Sequence, residues 1–444
     1  MNLTRFILIF TGTVLLAGCQ LSASVPPTAT MSPNETPAIA VSNTPTMAPT
    51  GTRISLPTAT SSEPPTTTTS PTDAPTLTST PSLPAAQVPF QPIADTGSVL
   101  PGTITGLYAS DDGAVWLVSD QGFARLEDGN WDTHLLELAG QLVWVDEVGR
   151  VWAVNEEANE ISRWEGGEWR TYGKAEGWQP IWDWFARVGS RETDSSGNLW
   201  VSTSQDVRVY DGEAWNIYTP EEMMMLPPEY EDMATELALQ VLENDEVWVG
   251  SCFWGGPGPF GGAGVRWYDG ETWQGADSPV AEGCVTKIEE DDQGLVWVAL
   301  EDELWRYTPE TGNWSQFQSP EPAEAQRYGF AAEMVVDPEG DVWIILAECG
   351  GASCFGATVP YRVHDGAWER FAERDDSGMQ RSLLAAGGSL WIFWEPGISR
   401  IEAGEPTLVA ELNTTHYAVD SDGRLWIVTG MEAEQVLWMA DEYE

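Results

Sequence analysis

Histidine is scarce in this chain: three among 444 residues, His134, His364 and His416. So few imidazoles leave little material for a histidine-based metal cluster or for a relay built on several rings. Basic residues are also few, with Lys+Arg 20 against Asp+Glu 69 and a formal net charge of −49. A surface of that sign repels nucleic acid and anionic headgroups, so no nucleic-acid partner is expected, and solubility and cationic partners are favoured. The five cysteines include no CxxC pair, which argues against zinc. No GxSxG, HExxH or phosphate-cradling glycine loop occurs, and no metal or cofactor is implied. Asp420–Gly423 has the opening of a calcium loop without its remaining ligands. The apolar run Phe6–Leu15 is shorter than the ~20 residues that a membrane-crossing helix needs.

What that run does instead is read from its flanks. Arg5 supplies a basic start, and Leu16-Ala17-Gly18-Cys19 a small-residue site ending in cysteine, the pattern of a processed export signal. The LAGC ending resembles the lipobox of bacterial lipoproteins. The resemblance implies cleavage before Cys19, a thioether lipid on it and an acylated new amino terminus. Several acyl chains, at ~0.8 kcal/mol per buried methylene, hold a protein stably on a membrane. Residues 1–18 are thus expected to be a signal peptide, and the anchor is expected in the cell membrane or the outer membrane. Residues 19–87 are mostly Thr, Pro, Ser and Ala, with Glu35, Arg53, Glu63 and Asp73 the charged exceptions. Such a segment buries too little apolar surface to offset chain entropy, and is expected to be a disordered stalk with a coil reach of roughly 45 Å.

The remaining 88–444 is organised by a repeat. DSSGNLWVST at Asp194–Thr203 reads as a tight Asp/Gly turn followed by a strand. Related stretches begin at Asp111, Glu147, Asp292, Pro338 and Asp420, with looser copies at Glu243 and Ala386. Their tryptophans are Trp116, Trp152, Trp200, Trp248, Trp297, Trp343, Trp391 and Trp426, spaced 35 to 49 residues apart. Within each unit a short strand leads into the turn, the tryptophan strand follows, and a third strand ends near an aromatic, as in Val207–Asp211. A fourth opens on Gly-x-Trp, as at Gly129–Trp131 and Gly312–Trp314. Four short antiparallel strands per unit, about eight times over, predict an all-β fold, a β-propeller of eight blades with seven as the alternative. The last unit has three strands and the first is preceded by a lone strand-like piece, Val88–Ile93. That piece is expected to close the ring as the outermost strand of the last blade, where Pro89 and Pro92 are tolerated.

Asp-x-x-Gly-x-Leu/Val-Trp-Val/Ile resembles the two-component-regulator propeller repeat, found in periplasmic sensing domains of bacterial hybrid histidine kinases. The resemblance covers about Val88 onward and implies a sensor-like, extracytoplasmic binding role. It brings no functional residues, since the matching positions are structural, and no kinase domain follows Trp438. Tyr307–Trp314 looks like half of a kelch repeat, and the unit spacing is similar to that of streptogramin-lyase-like propellers, which keeps a lyase among the alternatives.

In a propeller the longer connections here, Gly173–Arg191, Thr219–Glu236, Ser251–Gly264 and Glu348–Pro360, all emerge on one rim, opposite the Asp/Gly turns. Long loops on a rigid scaffold are where binding is usually built. They carry Trp178, Trp182, Trp184, Phe253, Trp254, Phe260 and Phe355, with Asp183 and Glu282 nearby: rings and carboxylates suited to stacking on a sugar or capturing a cation. Packing of these rings against the rim is the competing reading. An even set of four cysteines in an exported domain favours two disulfides. Topology favours Cys252 with Cys284 and Cys349 with Cys354, although sequence leaves connectivity open. His416, placed just ahead of the last unit's first strand, is a further candidate near the central channel. As a general base it would need Glu411 to orient it. The expected function is a lipid-anchored, non-catalytic module that binds an extracellular glycan, small ligand or envelope protein. The alternative is a propeller lyase or hydrolase using His416 and channel carboxylates.

Overall fold

Runs such as Val115–Ser119 and Leu199–Thr203 are buried at every position, while Asn130–Leu135 is mostly exposed. A strand covered on both faces and a strand with open surface cannot be neighbours in a flat, isolated sheet. They are the second and fourth strands of radially stacked blades. The computed structural model describes residues 90–136, 138, 140–155, 160–179, 188–225, 234–255, 258–259, 261–301, 303–319, 328–337, 339–349, 358–371, 382–386, 389–394, 397–402, 405–430 and 434–440.

These residues form eight antiparallel sheets. We name their strands a to d from the axis outward. Blade 1 is Ile104–Ala109, Val115–Ser119, Gly122–Glu127 and Asn130–Leu135; blade 2 is Leu142–Val145, Val151–Asn155, Glu160–Glu165 and Glu168–Tyr172. Blade 3 is Val188–Thr193, Leu199–Thr203, Val207–Tyr210 and Trp215–Tyr218; blade 4 is Ala234–Val241, Val247–Gly255, Gly264–Tyr268 and Trp273–Gln274, with Gly258–Pro259 paired to its strand b. Blade 5 is Val285–Glu290, Val296–Leu300, Glu303–Thr308 and Asn313–Gln318; blade 6 is Tyr328–Val336, Val342–Cys349, Thr358–His364 and Ala367–Arg370. Blade 7 is Ser382–Ala386, Ser389–Trp394, Gly397–Glu402 and Glu405–Ala410. Blade 8 takes Thr414–Val419, Leu425–Thr429 and Val436–Ala440 from the C-terminal part and Phe90–Asp95 from the N-terminal part.

That last pairing closes the ring. Phe90 lies opposite Ala440 and Asp95 opposite Val436, with a register shift between Pro92 and Ala94. Proline has no N–H for a ladder, and the outermost strand with a local irregularity is where it fits. The closing strand sits two residues further along than the expected Val88–Ile93. Its end is set by Asp95, whose side chain accepts from Gly97 N at 3.1 Å and caps the short helix Thr96–Val99. Gln435 then ties this junction to blade 1: its carbonyl accepts from Thr96 N at 3.1 Å and its side chain from Ile104 N at 2.8 Å.

The repeat's tryptophans all lie on strand b and are all buried, none more than 7% exposed. In five of the eight blades the ring is held by a carboxylate six residues earlier. Asp146, Asp194, Asp291, Asp337 and Asp420 each accept the indole N–H on one oxygen, at 2.8, 3.0, 2.9, 2.7 and 2.7 Å. The other oxygen accepts the backbone N–H four residues on, at 2.8–3.0 Å. One side chain thus closes the a–b turn and satisfies the buried indole donor. Ser110 replaces the carboxylate in blade 1 (3.0 Å to Trp116), and Glu246 reaches Trp248 from a different position at 3.1 Å in blade 4. The repeat stretches that begin at Asp111, Glu147, Asp292 and Pro338 start one residue after the side chain that does this. Arginines opposite on strand c cover the same rings: Arg125, Arg306 and Arg362 stand 5.5, 5.2 and 5.1 Å from the ring centres of Trp116, Trp297 and Trp343. Among the described residues no helix is long and apolar enough to cross a membrane.

Candidate functional site

The strand order puts the a–b and c–d turns on one rim and the b–c and d–a connections on the other. The second of these, the loop rim, is fastened at blades 3 to 5 by contacts that no repeat explains. Cys252, near the end of strand b of blade 4, is bonded to Cys284, just ahead of blade 5, and both are buried. Backbone hydrogen bonds run beside the disulfide: Gly264 N to Gly283 O and Gly283 N to Gly262 O, both at 3.0 Å. Gly264 has φ +67°, and a Cβ there would collide with the Val280 carbonyl, so the two segments meet only because this position has no side chain.

Two buried arginines anchor the d–a connections on this rim. Arg208 grips Asp206 with Nε at 2.7 Å and Nη2 at 3.0 Å, and donates Nη1 to the Gln179 carbonyl at 2.6 Å. Arg266, at the matching place in blade 4, donates to the Met224 carbonyl at 2.9 and 3.2 Å, while Met223 and Met225 are buried on either side. Burial pulls the Arg266 guanidinium below its ordinary range. In both cases a charge taken out of water is matched by carbonyl or carboxylate oxygens.

Two of the aromatic candidates are corrected by this geometry. Trp178 is 0% exposed, lies 4.2 Å under the Arg208 guanidinium and meets Trp215 edge-on at 4.8 Å. Phe253 is likewise 0% exposed and belongs to the core shared by blades 3 and 4. Neither presents a face to a ligand; both pack the loops onto the rim. Trp254 lies on strand b opposite Ala234 and Pro259, which puts its backbone on the loop rim; its side chain lies outside the described residues. Trp182, Trp184, Phe260, Phe355, Cys19 and Cys354 are outside them too, as is the side chain of Cys349 at the end of strand b of blade 6.

His416 lies inside strand a of blade 8, not ahead of it, next to a register shift between Thr414 and His416. Its Nδ1 meets the Thr415 hydroxyl at 3.2 Å. Burial pulls its pKa down, opposed by a hydrogen bond with the backbone of Thr105 in blade 1. The groups acting on the ring are therefore structural neighbours, and Glu411, its expected orienter, is exposed and not among them.

A cavity among the described residues lies elsewhere, where the inner strands of blades 3 to 5 reach the turn rim. It has a volume of about 570 Å³ and is lined by Glu147, Arg191, Glu192, Gln240, Glu243 and Glu290, among others. Its carboxylates also clasp adjacent blades. Glu192 of blade 3 accepts Val241 N of blade 4 at 2.6 Å, Glu290 of blade 5 accepts Glu243 N at 2.7 Å, and Glu147 of blade 2 accepts Thr193 N at 3.3 Å. Burial raises all three. Glu192 is pushed up to about 8, with the charges of Glu147 and Glu289 adding to the effect of burial and the Val241 N–H opposing it. Glu289, beside Glu290 on strand a of blade 5 but not in the cavity lining, is pushed up to about 7 by burial and by the charge of Glu333, with Lys287 opposing. Groups of this kind can hold a proton near neutrality and can attract cations. Among the described residues no three His, Cys, Asp or Glu side chains converge to hold a metal. On strand a of blade 5 the alternation is plain in the sequence: Ile288 is in the core while its neighbours Lys287 and Glu289 are half-buried.

No protein-family model matches the chain, and no curated protein matches it in sequence. Solved structures do resemble it in fold. A virginiamycin B lyase from Staphylococcus aureus aligns at 14% identity and TM-score 0.41, over 79% of this chain and 96% of that one. The extracellular domain of a putative one-component system from B. thetaiotaomicron aligns at 14% identity and TM-score 0.39, over 78% of this chain and 51% of that one. A surface component of the type-IX secretion system of Porphyromonas gingivalis aligns at 13% identity and TM-score 0.36, over 75% and 63%. At these values the likeness bears on neither activity nor ligand.

Proposed function

We propose that this chain is a non-catalytic binding module of the bacterial cell envelope, anchored by lipid at Cys19 and displayed on the Thr/Pro/Ser-rich stalk. Its loop rim would take an extracellular glycan, small ligand or envelope protein. The observation that carries the reading is the Cys252–Cys284 disulfide on that rim. A disulfide persists in an oxidising compartment, and this one sits at the base of the extended strand b and the b–c connection of blade 4, whose length no blade requires. The buried anchors Trp178, Phe253, Arg208 and Arg266 support the same reading. They fasten the described ends of these connections to the rim, and Trp182, Trp184, Trp254, Phe260 and Phe355 stand as the aromatic candidates for contact.

One experiment with two arms tests this. Full-length protein and its Cys19→Ala form are expressed in a bacterial host and fractionated: the first should pellet with membranes and the second should not. The purified proteins are then screened on glycan and peptide arrays. The combined Trp182→Ala, Trp184→Ala and Trp254→Ala variant should lose retention on any hit by about tenfold or more, with an unchanged melting temperature. Membrane association that survives Cys19→Ala removes the anchor. Loss of retention together with a large fall in melting temperature assigns the three rings to packing.

A further inference from the structure

Among the described residues five that are not glycine hold a positive φ, and four of these carry a carboxylate: Asp128, Asp245, Glu301 and Asp365. The fifth is Met224, at φ +56°. That region strains an L-residue unless a short polar side chain can bond locally, which a thioether does not do. The strain is imposed by the backbone. Thr219 to Met225 form a tight turn on the loop rim, on the way from blade 3 to blade 4. In it Met223 N, Met224 N and Met225 N donate to the carbonyls of Thr219, Glu221 and Pro220 at 3.0, 3.1 and 2.8 Å. Glu222 closes the turn by accepting Thr219 N at 2.8 Å and the Thr219 hydroxyl at 3.0 Å. Met223 and Met225, exposed by 0% and 1%, belong to the core shared by blades 3 and 4. The Met224 carbonyl between them is taken by the buried Arg266, whose Nη2 also lies 3.5 Å from the Ala281 carbonyl, three residues ahead of Cys284.

These contacts account for the backbone of Met224 and leave its side chain without a part in the fold. Glycine or asparagine would hold the same angle at lower cost, yet a methionine stands there with 45% of its surface exposed. A residue that strains the backbone, stands outside the core its two neighbours fill and is held from both sides is a side chain displayed for contact. Its thioether is polarisable and favours the edge of an aromatic ring. Glu221 and Glu222 on the same turn are exposed, and with a formal net charge of −49 they favour a cation beside that ring. We propose that Met224 is a contact residue of the loop rim, displayed to a protein segment that brings an aromatic side chain flanked by lysine or arginine, an assignment that rests on the loop rim being the binding face. The hydrogen bonds of the turn are in place without a partner, so little ordering is left to be done on contact.

The probes are immobilised pentapeptides Lys-X-Lys-X-Lys, with X tryptophan, leucine or serine, and the full-length protein is passed over them at about 0.15 M salt. The unchanged protein should be retained on the tryptophan peptide about tenfold more than on the serine peptide, with leucine between. Met224→Gln should bring that ratio within about twofold, whereas Glu221→Gln should weaken all three peptides alike. Met224→Asn should melt no lower than the unchanged protein, because it relieves the backbone. Equal retention of the tryptophan and serine peptides by the unchanged protein overturns the assignment. So does a fall of about 5 °C or more in the melting temperature of Met224→Asn, which would make the side chain part of the packing. An order of retention that survives Met224→Gln but disappears in the combined Trp182→Ala, Trp184→Ala and Trp254→Ala variant overturns Met224 and leaves the loop rim as the binding face. An order that survives in both variants overturns both.

Discussion

The two rims of this wheel are built from the same eight blades by opposite rules. On the turn rim one device recurs: a carboxylate closes the a–b turn with one oxygen and holds a tryptophan with the other, in five blades at nearly the same distances. On the loop rim the fastenings are confined to a few blades: a disulfide at blades 4 and 5, and an arginine at matching places in blades 3 and 4, Arg208 over Trp178 and Arg266 on the Met224 carbonyl. The turn rim repeats because every blade must pair the same buried indole and close the same hairpin. The loop rim differs from blade to blade because nothing in the blade itself requires those loops. Repetition marks the parts that make the fold, and departures from it mark where a ligand or partner is to be sought.

The most damaging way to break the comparison is on the repeated side. Asp291→Ala removes one acceptor and leaves Trp297 Nε1, Gln293 N and Leu295 N without it, donors now paired at 2.9–3.0 Å. Buried donors that lose a charged acceptor cost about 1–3 kcal/mol each, less for one that water can reach, so a loss of about 4 kcal/mol is expected. Asp291→Asn keeps an acceptor for part of the set and should lose about half as much. Urea unfolding measures both. If Asp291→Ala loses under about 1 kcal/mol, the carboxylate is ornament and the turn rim has no structural priority.

On the other rim, Cys252→Ala with Cys284→Ala opens a loop with a sequence separation of 32. Chain entropy alone puts the loss at about 3.7 kcal/mol. Differential scanning calorimetry should show it, and reductant should reproduce it in the unchanged protein. The contrast with Asp291 lies in binding: opening the disulfide should weaken ligand retention as well as stability, whereas Asp291→Ala should leave retention intact in the folded fraction. Equal effects on binding from both would erase the distinction between the rims.

How much of this could be read in advance follows the same division. The period of the tryptophans, the eight blades, the closing strand and the Cys252–Cys284 pairing were legible, because periodicity and topology are properties of the chain as written. The carboxylate six residues before the tryptophan recurs in five blades, but Ser110, Leu242 and Ala385 interrupt the series, and it lies one residue ahead of the visible Asp/Gly turn in most copies. Trp178 and Phe253 were misread because a ring in a long loop has the same sequence signature whether it faces inward or outward. Burial decides between them, and it depends on Arg208 and on neighbouring blades far away in sequence. The cavity on the turn rim has no such signal: Glu147, Glu192 and Glu290 come from separate units and line one space only when the blades stack. His416 shows the converse: a residue singled out for its chemistry proves to be tied to Thr105 and Thr415.

The smallest prediction sharpens the comparison most finely, because it concerns one backbone angle. Three residues before the tryptophan, the turns place Gly113, Gly149, Gly197, Gly294, Gly340 and Gly423, all with φ between +73° and +86°. At Gly197 a Cβ would meet nothing within 4 Å, so Gly197→Ala should cost only the strain of a left-handed L-residue, about 1 kcal/mol. Blade 4 supplies the internal control. Its residue at this position is Asp245, which holds φ +66° and uses its carboxylate to accept from Ser195 of the neighbouring turn. Asn and Asp tolerate this region because a short polar side chain can bond locally. Gly197→Asn should therefore cost less than Gly197→Ala, by a few tenths of a kcal/mol in urea unfolding. The reverse order would mean that the turn rim demands glycine for a contact and not for an angle, which is how Gly264 behaves on the opposite rim.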